Sequence, residues 1–376
     1  MKKLAFCIAQ TYVPGGTQRV LANKINYFEK DEFEFHIITT DQHGNPPFFP
    51  MNGSVFHHDL GINYDEYAIS RSMTRVWKAL QKRINHYKQL KELITTIEPD
   101  VIVSMGGAET TFLPSIKRQA RIIYESHFHR YYKLQSSRKL DPLTRARVLL
   151  ETTFEDVYLK NFDRVILLTQ RDQKNYPKLK NTVVIPNSLS KIPEKTSELH
   201  KKQVLAIGRL TYQKGFDLLI QAWHLVHQKL PEWKLVIIGS GEDEPMLRGI
   251  IQELALDGSV VIKPPTNQIE EEYLNSSMFV LSSRYEGFGL VLIEAMSYGL
   301  PCVSFDCACG PSEIIMDNVT GYLAQPESIS DLVIKISLIA NQHLLLHKMA
   351  RSSRKISRSF SDEVIAEKYR KDALGC

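Results

Sequence analysis

The sequence of 376 residues is poor in cysteine and has no long apolar run. Its five cysteines are an odd number, and only Cys302, Cys307 and Cys309 lie close together. Because a zinc site normally needs two separated Cys/His pairs, we interpret them as small buried thiols in a reducing cytosol. No stretch approaches the roughly 18 consecutive apolar residues of a transmembrane helix, so the sequence predicts none.

The sequence also predicts no secretory signal and shows no internal repeat of roughly 20–50 residues. The first residues carry two lysines but only a short apolar run, which the turn-forming Pro14-Gly15-Gly16 follows at once. With 43% hydrophobic and 24% charged residues, the composition is that of an ordinary globular protein, and the length allows two to three domains. We therefore expect a cytoplasmic protein.

The charge is distributed unevenly along the chain. Residues 1–190 contain 27 Lys and Arg against 19 Asp and Glu, a net charge of +8. Residues 191–376 contain 20 against 23, a net charge of −3. Two stretches carry most of the positive charge, residues 71–91 and residues 117–147, and the second is interleaved with aromatic side chains. The first half should therefore attract anionic partners.

Short apolar runs that end in turns recur in two series. The predicted strands are 4–9, 33–40, 100–107, 121–126, 164–169 and 181–189, then 201–210, 234–241, 259–265, 278–283 and 301–305. Their apolar residues are continuous rather than alternating, which is typical of parallel strands covered on both faces. A polar segment, residues 187–200, separates the series. The pattern predicts an α/β fold of two doubly wound, Rossmann-like domains facing across a cleft.

A long amphipathic helix is predicted over residues 71–97, and Pro99 ends it. Much of its apolar face must pack on a sheet, because a doubly wound domain needs such a helix. Trp77 lies on that face, and basic side chains lie near it: Arg71, Arg75, Lys78, Lys82 and Arg83. Two interpretations stay open, namely solvated charges on a core helix and a helix that lies on an anionic membrane.

The segment Ser283–Met296 follows a predicted strand and opens a helix. Gly287 and Gly289 would let the backbone approach a ligand closely, and the first N–H groups of the helix would favour an anion. Glu286 and Glu294 flank this loop and are suited to accept hydrogen bonds from sugar hydroxyls. The alternative is a solvated loop carboxylate and a second one favoured by the helix dipole.

A second loop, Gly208–Gly215, also lies between a predicted strand and a helix. The carboxyl end of a strand is where open α/β sheets bind ligands. Arg209 offers a rigid fork of donors and Lys214 a point charge, and together they could hold a diphosphate. The alternative is a surface turn with two solvated cations.

Together the two loops resemble the signature of the retaining glycosyltransferases of family 4, which have the GT-B fold. The matching patterns are G-R-L-x-x-x-K-G-x-D-x-L-I and E-G-F-G-L-x-x-x-E-A-M-x-x-G-x-P. The resemblance is strongest over residues 204–322 and covers most of the chain. It implies an acceptor-binding domain (1–188), a nucleotide-sugar-binding domain (189–358) and a terminal helix (359–376) that returns to the first domain.

The resemblance also implies roles for the residues of the second domain. Glu286 would contact the transferred sugar, and Glu294 would bind the ribose hydroxyls. Arg209 and Lys214 would neutralise the departing diphosphate. Backbone amides toward sugar or phosphate would come from the loop residues Phe288, Gly289 and Leu290.

The first domain matches the family at two places. Gly15 and Gly16 form a glycine loop that would approach the donor phosphates and the acceptor. Gln18 stands where the family usually has Glu, so this chain departs from the family there. His127, which follows the predicted strand 121–126, matches the histidine that the family places beside the reacting sugar. His129 lies two residues further on and is the alternative candidate.

Two competing functions find less support in the sequence. Gly239-Ser240-Gly241 begins like a dinucleotide fingerprint, but Glu244 stands where the third glycine is required. The basic stretches carry no nucleic-acid recognition motif, so we expect no nucleic-acid partner.

The resemblance implies transfer of a hexosyl or N-acetylhexosaminyl group from a nucleoside-diphosphate sugar, with UDP as the expected nucleotide. The implied acceptor is a glycan or lipid-linked glycan in capsule, surface polysaccharide or lipopolysaccharide biosynthesis. We expect no cofactor and no metal, and possible contact with an anionic membrane on its inner face. The alternatives are a nucleotide-sugar epimerase of similar fold, a phosphorylase-like enzyme and a non-catalytic partner of a transferase.

Overall fold

A computed structural model of the protein describes residues 2–28, 33–67, 74–136 and 141–375. The chain divides into two compact units. The first comprises residues 1–130, 140–190 and 362–376, and the second comprises residues 131–139 and 191–361. These boundaries differ from the expected 188/189 and 358/359, because the polar linker marks a region rather than a residue. The segment 131–139, expected in the first domain, groups with the second unit.

The described residues form two sheets flanked by helices. The strands are β1 (Lys2–Ile8), β2 (Phe33–Thr39), β3 (Val55–Asp59), β4 (Val101–Ser104), β5 (Arg121–Glu125), β6 (Arg164–Leu167), β7 (Thr182–Val184), β8 (Gln203–Ile207), β9 (Lys234–Ile238), β10 (Val260–Lys263), β11 (Met278–Leu281), β12 (Cys302–Phe305) and β13 (Gly321–Ala324). The α-helices are α1 (Gly16–Phe28), α2 (Thr74–Ile97), α3 (Leu113–Ile116), α4 (Tyr132–Ser136), α5 (Pro142–Leu159), α6 (Gln170–Gln173), α7 (Phe216–Lys229), α8 (Glu244–Glu253), α9 (Ile269–Leu274), α10 (Leu290–Ser297), α11 (Pro311–Ile314), α12 (Ile329–Ala340), α13 (His343–Ser357) and α14 (Asp362–Tyr369).

The first unit is built on a seven-stranded sheet in the order β3-β2-β1-β4-β5-β6-β7, with all pairs parallel. The apolar side chains of β1 point to both faces, since Leu4 and Phe6 enter one core and Ala5 and Cys7 the other. Helices α1 and α14 cover the first face, and α2 and α5 cover the second. This double covering explains why the central strands read as continuous apolar runs.

The second unit has a six-stranded parallel sheet in the order β10-β9-β8-β11-β12-β13. Helix α7 buries Trp223 completely, and α10 buries Leu292 and Ile293. Both sheets are therefore doubly wound, as the sequence predicts.

Two strands escape the sequence analysis, and each lies at an edge of its sheet. Strand β3 is only partly buried, and its sequence Val-Phe-His-His-Asp has two apolar residues. Strand β13 has four residues and begins at Gly321, which has no side chain to bury. The apolar run that would indicate a strand is therefore short. An edge strand has one neighbour and a wetter environment, so its composition is less apolar than that of a central strand.

Two helices of the first unit differ from the expectation. Helix α2 is described from Thr74, and Arg71 lies outside the described residues. Only its second half packs on the sheet, through Leu90, Ile94 and Ile97. The predicted apolar face therefore divides into a buried part and an exposed part that contains Trp77. Helix α5 is not predicted, because its apolar residues follow no buried stripe.

Within the described ranges, no single helix combines the length and the apolar composition needed to cross a bilayer. Helices α12 and α13 reach that composition only together, and the chain bends by 98° between them.

Candidate active site

The ligand-binding edge of the second sheet follows from its strand order. Strand β8 lies between β9 and β11, so the order in which successive strands join the sheet reverses at β8. We call this point the strand reversal, and the strands on both sides of it are parallel. Ligands of doubly wound sheets bind beyond the carboxyl ends of the strands at this reversal. The loops that leave this edge are Gly208–Gly215 after β8 and Ser282–Gly289 after β11. The fold thus brings together the two segments that the sequence singles out.

A buried ion pair joins the two loops. Lys214 Nζ donates to Glu286 Oε1 at 2.5 Å, and both side chains are largely buried. Ser283 Oγ donates to the same carboxylate oxygen at 2.6 Å. The aliphatic part of Lys214 lies against Gly208, where an added Cβ would be 3.2 Å from the lysine side chain. The pair therefore holds a cation and an anion side by side at the strand reversal.

Two glycines give these loops their conformation. Gly215 has a φ of +62°, and a Cβ at this position would lie 2.2 Å from the carbonyl oxygen of Ser282. Gly289 has a φ of +101° immediately before helix α10. Non-glycine residues avoid this region of φ, so both positions require glycine for the loop and helix start. The first N–H groups of α10 follow Gly289 and carry the partial positive charge of a helix N-terminus.

Arg284 connects the same loops and was not identified from the sequence. Its guanidinium donates to both carboxylate oxygens of Asp217, at 2.9 and 2.6 Å, and to the carbonyl oxygen of Tyr212 at 2.8 Å. It also lies 4.1 Å from the centre of the Tyr212 ring. The sequence signal for this role is Asp217, the aspartate of the pattern K-G-x-D. Its carboxylate anchors Arg284 and so holds the two loops together.

The remaining predicted residues of the second unit make contacts of their own. Glu294 on α10 accepts a hydrogen bond from Tyr273 at 2.9 Å, and the Tyr273 ring stacks on Tyr298. Arg209 is exposed. Burial raises the pKa of Tyr285, and the positive charge of Arg209 partly offsets this rise. Phe288 is buried, while Leu290 begins α10.

The first unit has a strand reversal of its own, at β1, which lies between β2 and β4. The predicted glycine loop leaves β1 at this edge, and α1 begins at Gly16. Gly15 leaves room for Gln18, whose amide oxygen would lie 2.4 Å from an added Cβ. Gln18 Nε2 donates to the carbonyl oxygen of Gln10 at 3.1 Å, so this residue stabilises the loop.

His127 lies beyond the end of β5, beside a buried network of three further side chains. Lys24 Nζ donates to both oxygens of Glu125, at 2.7 and 2.5 Å, and lies 4.1 Å from the centre of the Tyr369 ring. Tyr369 donates its hydroxyl to Glu125 at 3.3 Å. His127 Nε2 is 3.6 Å from Glu125 and is buried without a hydrogen-bond partner among the described residues. This nitrogen is therefore a buried polar atom without a partner in the described ranges, next to the Glu125 carboxylate.

The network fixes the charges around His127. Burial lowers the pKa of His127 to about 4, and the Glu125 carboxylate only partly offsets this effect. Burial would raise the pKa of Glu125, but the positive charge of Lys24 and the hydrogen bonds from Lys24 and Tyr369 bring it below its usual value. At neutral pH the imidazole is consequently neutral and the carboxylate is charged. The alternative candidate, His129, is buried near Asp172 instead.

Metal coordination has no obvious place in the part of the chain that the structure describes. No group of three or more His, Cys, Asp or Glu side chains is arranged there to hold an ion. Burial raises the pKa of the Cys302 and Cys307 thiols, so both are protonated at neutral pH.

Comparison with known proteins identifies relatives of this chain. Residues 189–356 match the family model described as "Glycosyl transferases group 1". An uncharacterised glycosyltransferase of Haemophilus influenzae is 28% identical over 98% of this chain and 99% of its own length. The lipopolysaccharide 1,6-galactosyltransferase of Escherichia coli is 24% identical over 88% of this chain and 87% of its own length. The crystal structure of HepE from Anabaena with UDP-glucose superposes with a TM-score of 0.74 at 19% identity, covering all of both chains.

Two doubly wound parallel sheets, with the glycine-containing loops described above at their strand reversals, define the GT-B fold. Residues 189–356 match the group 1 glycosyltransferases, and the chain is a glycosyltransferase.

Proposed function

We propose that the protein transfers a hexosyl or N-acetylhexosaminyl group from a UDP-sugar to a hydroxyl of a glycan or lipid-linked glycan, with retention of configuration. The Lys214–Glu286 pair at the strand reversal carries this proposal, because it sets a cation beside an anion where a sugar diphosphate would lie. The Escherichia coli relative acts on lipopolysaccharide, and the HepE structure contains UDP-glucose. Both support a role in surface-glycan biosynthesis.

Negative charge develops on the diphosphate as the bond between its oxygen and the sugar carbon breaks. Arg209, Lys214 and the first N–H groups of α10 stabilise this charge, so the transfer needs no divalent metal. Glu286 orients Lys214 through their ion pair and accepts a hydrogen bond from the sugar. Glu294 binds the ribose hydroxyls in this scheme.

Retention follows if the acceptor attacks the face that the diphosphate leaves. The acceptor oxygen forms the new bond to the sugar carbon, and its proton passes to the departing phosphate oxygen. No side chain of the protein acts as a nucleophile in this scheme. His127, neutral and with a free Nε2 atom, holds a hydroxyl of the transferred sugar.

The substitution Lys214→Met tests the proposal. It removes the cation but keeps most of the side-chain volume, and we expect transfer to fall about 100- to 1000-fold, as when one donor to a developing anion is lost. UDP should also bind more weakly in calorimetry. Lys202→Met is the matched control, because Lys202 forms an exposed ion pair with Glu232 in the same unit. Equal activity of Lys214→Met and Lys202→Met would contradict the assignment.

Donor turnover with and without acceptor separates the alternatives. A transferase consumes UDP-sugar and releases UDP only when an acceptor hydroxyl is present, apart from slow hydrolysis. An epimerase converts the sugar without an acceptor, a phosphorylase-like enzyme needs phosphate, and a non-catalytic partner does neither. A panel of UDP-, GDP- and ADP-sugars identifies the nucleotide in the same assay.

We also propose that α2 contacts the anionic inner face of a cell membrane. Trp77 is 70% exposed, and Leu80 and Ile84 are exposed on the same side of the helix. Residues 71–91 contain seven basic residues and no acidic residue. A helix with exposed aromatic and aliphatic residues among basic ones binds anionic bilayers through charge and apolar contact.

Vesicle sedimentation tests this contact. The double variant Lys78→Gln/Lys88→Gln removes two exposed charges of α2, and we expect weaker binding to phosphatidylglycerol vesicles at low salt. The control is Lys348→Gln/Lys355→Gln, which removes two exposed charges of α13. Equal binding of the two variants at low salt would overturn the electrostatic contribution of α2.

A further inference from the structure

Helix α5 exposes its most apolar side. Its exposed large side chains include Leu143 (83% exposed), Leu150 (58%), Phe154 (59%) and Val157 (52%). A surface helix usually turns such a stripe toward the core and its polar residues toward water. Isolated exposed apolar residues are ordinary, but several on one helix face indicate an interaction surface.

These residues form one continuous row along the helix. At 100° per residue, Leu143, Ala146, Leu150, Phe154 and Val157 fall within an arc of about 80°. The row, which we call the α5 stripe, is about 21 Å long at 1.5 Å per residue. The stripe therefore has the length of four helical turns.

The stripe lies on the opposite side of α5 from the surface that packs against the protein. Thr152 and Leu159 are the buried residues of the helix, and they lie about half a turn away from the stripe. Leu159 enters the core beneath the sheet. The helix is thus fixed to the first unit by one side and presents a convex apolar ridge on the other.

The acidic residues of α5 are engaged within the protein. Glu151 pairs with Arg147 at 2.8 Å, and Asp156 pairs with Arg130 at 2.9 Å. Glu155 accepts a hydrogen bond from Tyr176 at 3.3 Å. Positive charge near α5 comes from α2, which contains six Lys and Arg residues and one Glu and contributes to the same core.

Helix α2 lies on the same face of the sheet as α5, since both contribute to one core. Both helices also pack against the short helical turn Ala108–Thr111. The exposed residues of α2, Trp77 and Ile84, lie about half a turn from its buried residue His86. Each helix thus turns apolar side chains away from the sheet on the same side of the unit.

We propose that the α5 stripe inserts into the interface of an anionic phospholipid bilayer. A convex apolar ridge fits between lipid headgroups, which rearrange around it, whereas a folded partner would need a complementary groove. The basic residues of α2 attract anionic lipid and disfavour pairing with the equally basic α2 of a second copy. The inference extends the proposed membrane contact from the charges of α2 to an apolar contact by α5.

The two contacts respond differently to salt, and this difference makes them separable. Attraction between the basic residues of α2 and the lipid weakens as ionic strength rises. Burial of apolar side chains does not depend on this screening. Binding that survives high salt therefore measures apolar contact, and the part of it that is lost when α5 is changed is the contribution that we assign to the α5 stripe.

The first test is the double variant Leu150→Gln/Phe154→Gln in the full chain. It changes no charge, and glutamine is a good helix former, so the folded unit should persist. On vesicles of phosphatidylcholine and phosphatidylglycerol in equal amounts, we expect salt-resistant binding to fall about tenfold or more. The matched control is Ile334→Gln/Leu344→Gln, which replaces two exposed aliphatic side chains on α12 and α13. The control should bind as the unchanged protein does.

The second test reads insertion directly. Phe154→Trp should show a blue-shifted emission on these vesicles and quenching by brominated acyl chains, beyond the signal of the native tryptophans. Leu344→Trp, at a position 86% exposed on α13, should show neither added effect. Unchanged vesicle binding by the glutamine variant would overturn the proposal. So would Phe154→Trp emission that brominated acyl chains quench no more than the emission of the unchanged protein.

Two further outcomes are distinguishable. If the glutamine variant becomes monomeric while the unchanged protein is dimeric in sedimentation, and vesicle binding is equal, the stripe joins two copies and the lipid proposal is wrong. Transfer to a water-soluble acceptor should be the same for the glutamine variant and the unchanged protein, because the stripe is separate from the proposed site. A failure of the transferase proposal leaves the vesicle results unaffected.

Discussion

At the scale of residues, each unit contains one buried ion pair among its candidate functional residues. Lys214–Glu286 in the second unit joins the two loops at the strand reversal, and Lys24–Glu125 in the first unit lies next to His127. Removing one partner of a buried pair leaves an uncompensated charge, which costs more than the intact pair contributes. The Lys24–Glu125 pair also acts on the pKa of His127, which the carboxylate raises and the lysine lowers.

Lys24→Met should raise the pKa of His127. Lys24 is a positive charge that lowers this pKa, and it also occupies both oxygens of Glu125. Without it, the carboxylate attracts a proton to His127, and an opposite charge at this distance raises a pKa by about one unit or more. The titration of the His127 ring protons by NMR measures the shift, with His127→Ala to assign the signal.

Tyr369→Phe should shift the pKa of His127 in the same direction by a smaller amount, because Glu125 then loses one neutral donor. Tyr27→Phe is the control. Tyr27 lines the same small cavity as Tyr369, but among the described residues it is Tyr369 and not Tyr27 whose hydroxyl donates to Glu125. An unchanged His127 titration in Lys24→Met would refute the electrostatic coupling.

Stability should fall as the pH falls through the range of the histidines. Burial lowers the pKa of His86 and of His127 from 6.5 to about 4. The unfolded state then binds more protons than the folded state between these values, so acid favours unfolding. Near pH 5 the loss is about 2 kcal/mol for each histidine, measured by urea unfolding.

His86→Gln removes one of these two titrating groups. Its stability should depend less on pH, by about half, even if its stability at neutral pH is also lower. Asn85→Gln, at an exposed position on the same helix, removes no titrating group and should keep the full pH dependence. Parallel curves for His86→Gln and the unchanged protein would contradict the burial argument.

At the scale of elements, glycine decides how the strands connect to the helices. Gly215→Ala places a Cβ against the Ser282 carbonyl oxygen in a region of φ that alanine avoids. We expect a loss of about 1–3 kcal/mol in stability and weaker UDP binding, since the loop must shift. Thermal unfolding and calorimetry measure the two effects.

Gly249→Ala is the matched control in the same unit. Gly249 lies within helix α8 with free space around an added Cβ. Alanine there should stabilise the protein by about 0.5–1 kcal/mol, because glycine weakens a helix interior. A stabilising Gly215→Ala would show that the loop does not need its left-handed residue.

The central elements are readable from the sequence, whereas the outer ones are not. The runs around Val103, Val236 and Val280 are apolar because strands covered on both faces exclude polar residues. Edge strand β3 and helix α5 carry mixed patterns, since each faces water on one side. The loop residues Lys214 and Glu286 were found because their positions after strands are diagnostic. The network of Lys24, Glu125 and Tyr369 was not, because 244 positions separate its last two members.

At the scale of the whole molecule, the last helix completes the core of the first unit. Helix α14 packs against α1, and Tyr369, Ala373 and Leu374 are buried in the same core as Phe6. Arg121, the first residue of β5, donates to the carbonyl oxygen of Leu374 at 2.9 Å. This bond attaches the helical turn Arg370–Leu374, which follows α14, to the start of β5. The first unit is therefore made of segments from both ends of the described chain.

Tyr369→Ala should destabilise the first unit by about 3–5 kcal/mol, as is typical when a buried aromatic side chain is truncated. Hydrogen exchange should become faster in β1 and β4 and stay unchanged in β8 and β9. Leu344→Ala, at an exposed position, should change stability by less than about 0.5 kcal/mol. Equal acceleration of exchange in both units would contradict a role of Tyr369 within the first unit.

The position of α14 has a consequence for synthesis on the ribosome. Domains usually fold in the order in which they emerge, with the N-terminal one first. Here residues 191–361 supply nearly all of the second unit, while the first unit must wait for residues 362–374. We therefore expect the later-made unit to finish folding first, and the nascent first unit to expose its unfinished core and recruit chaperones for most of translation.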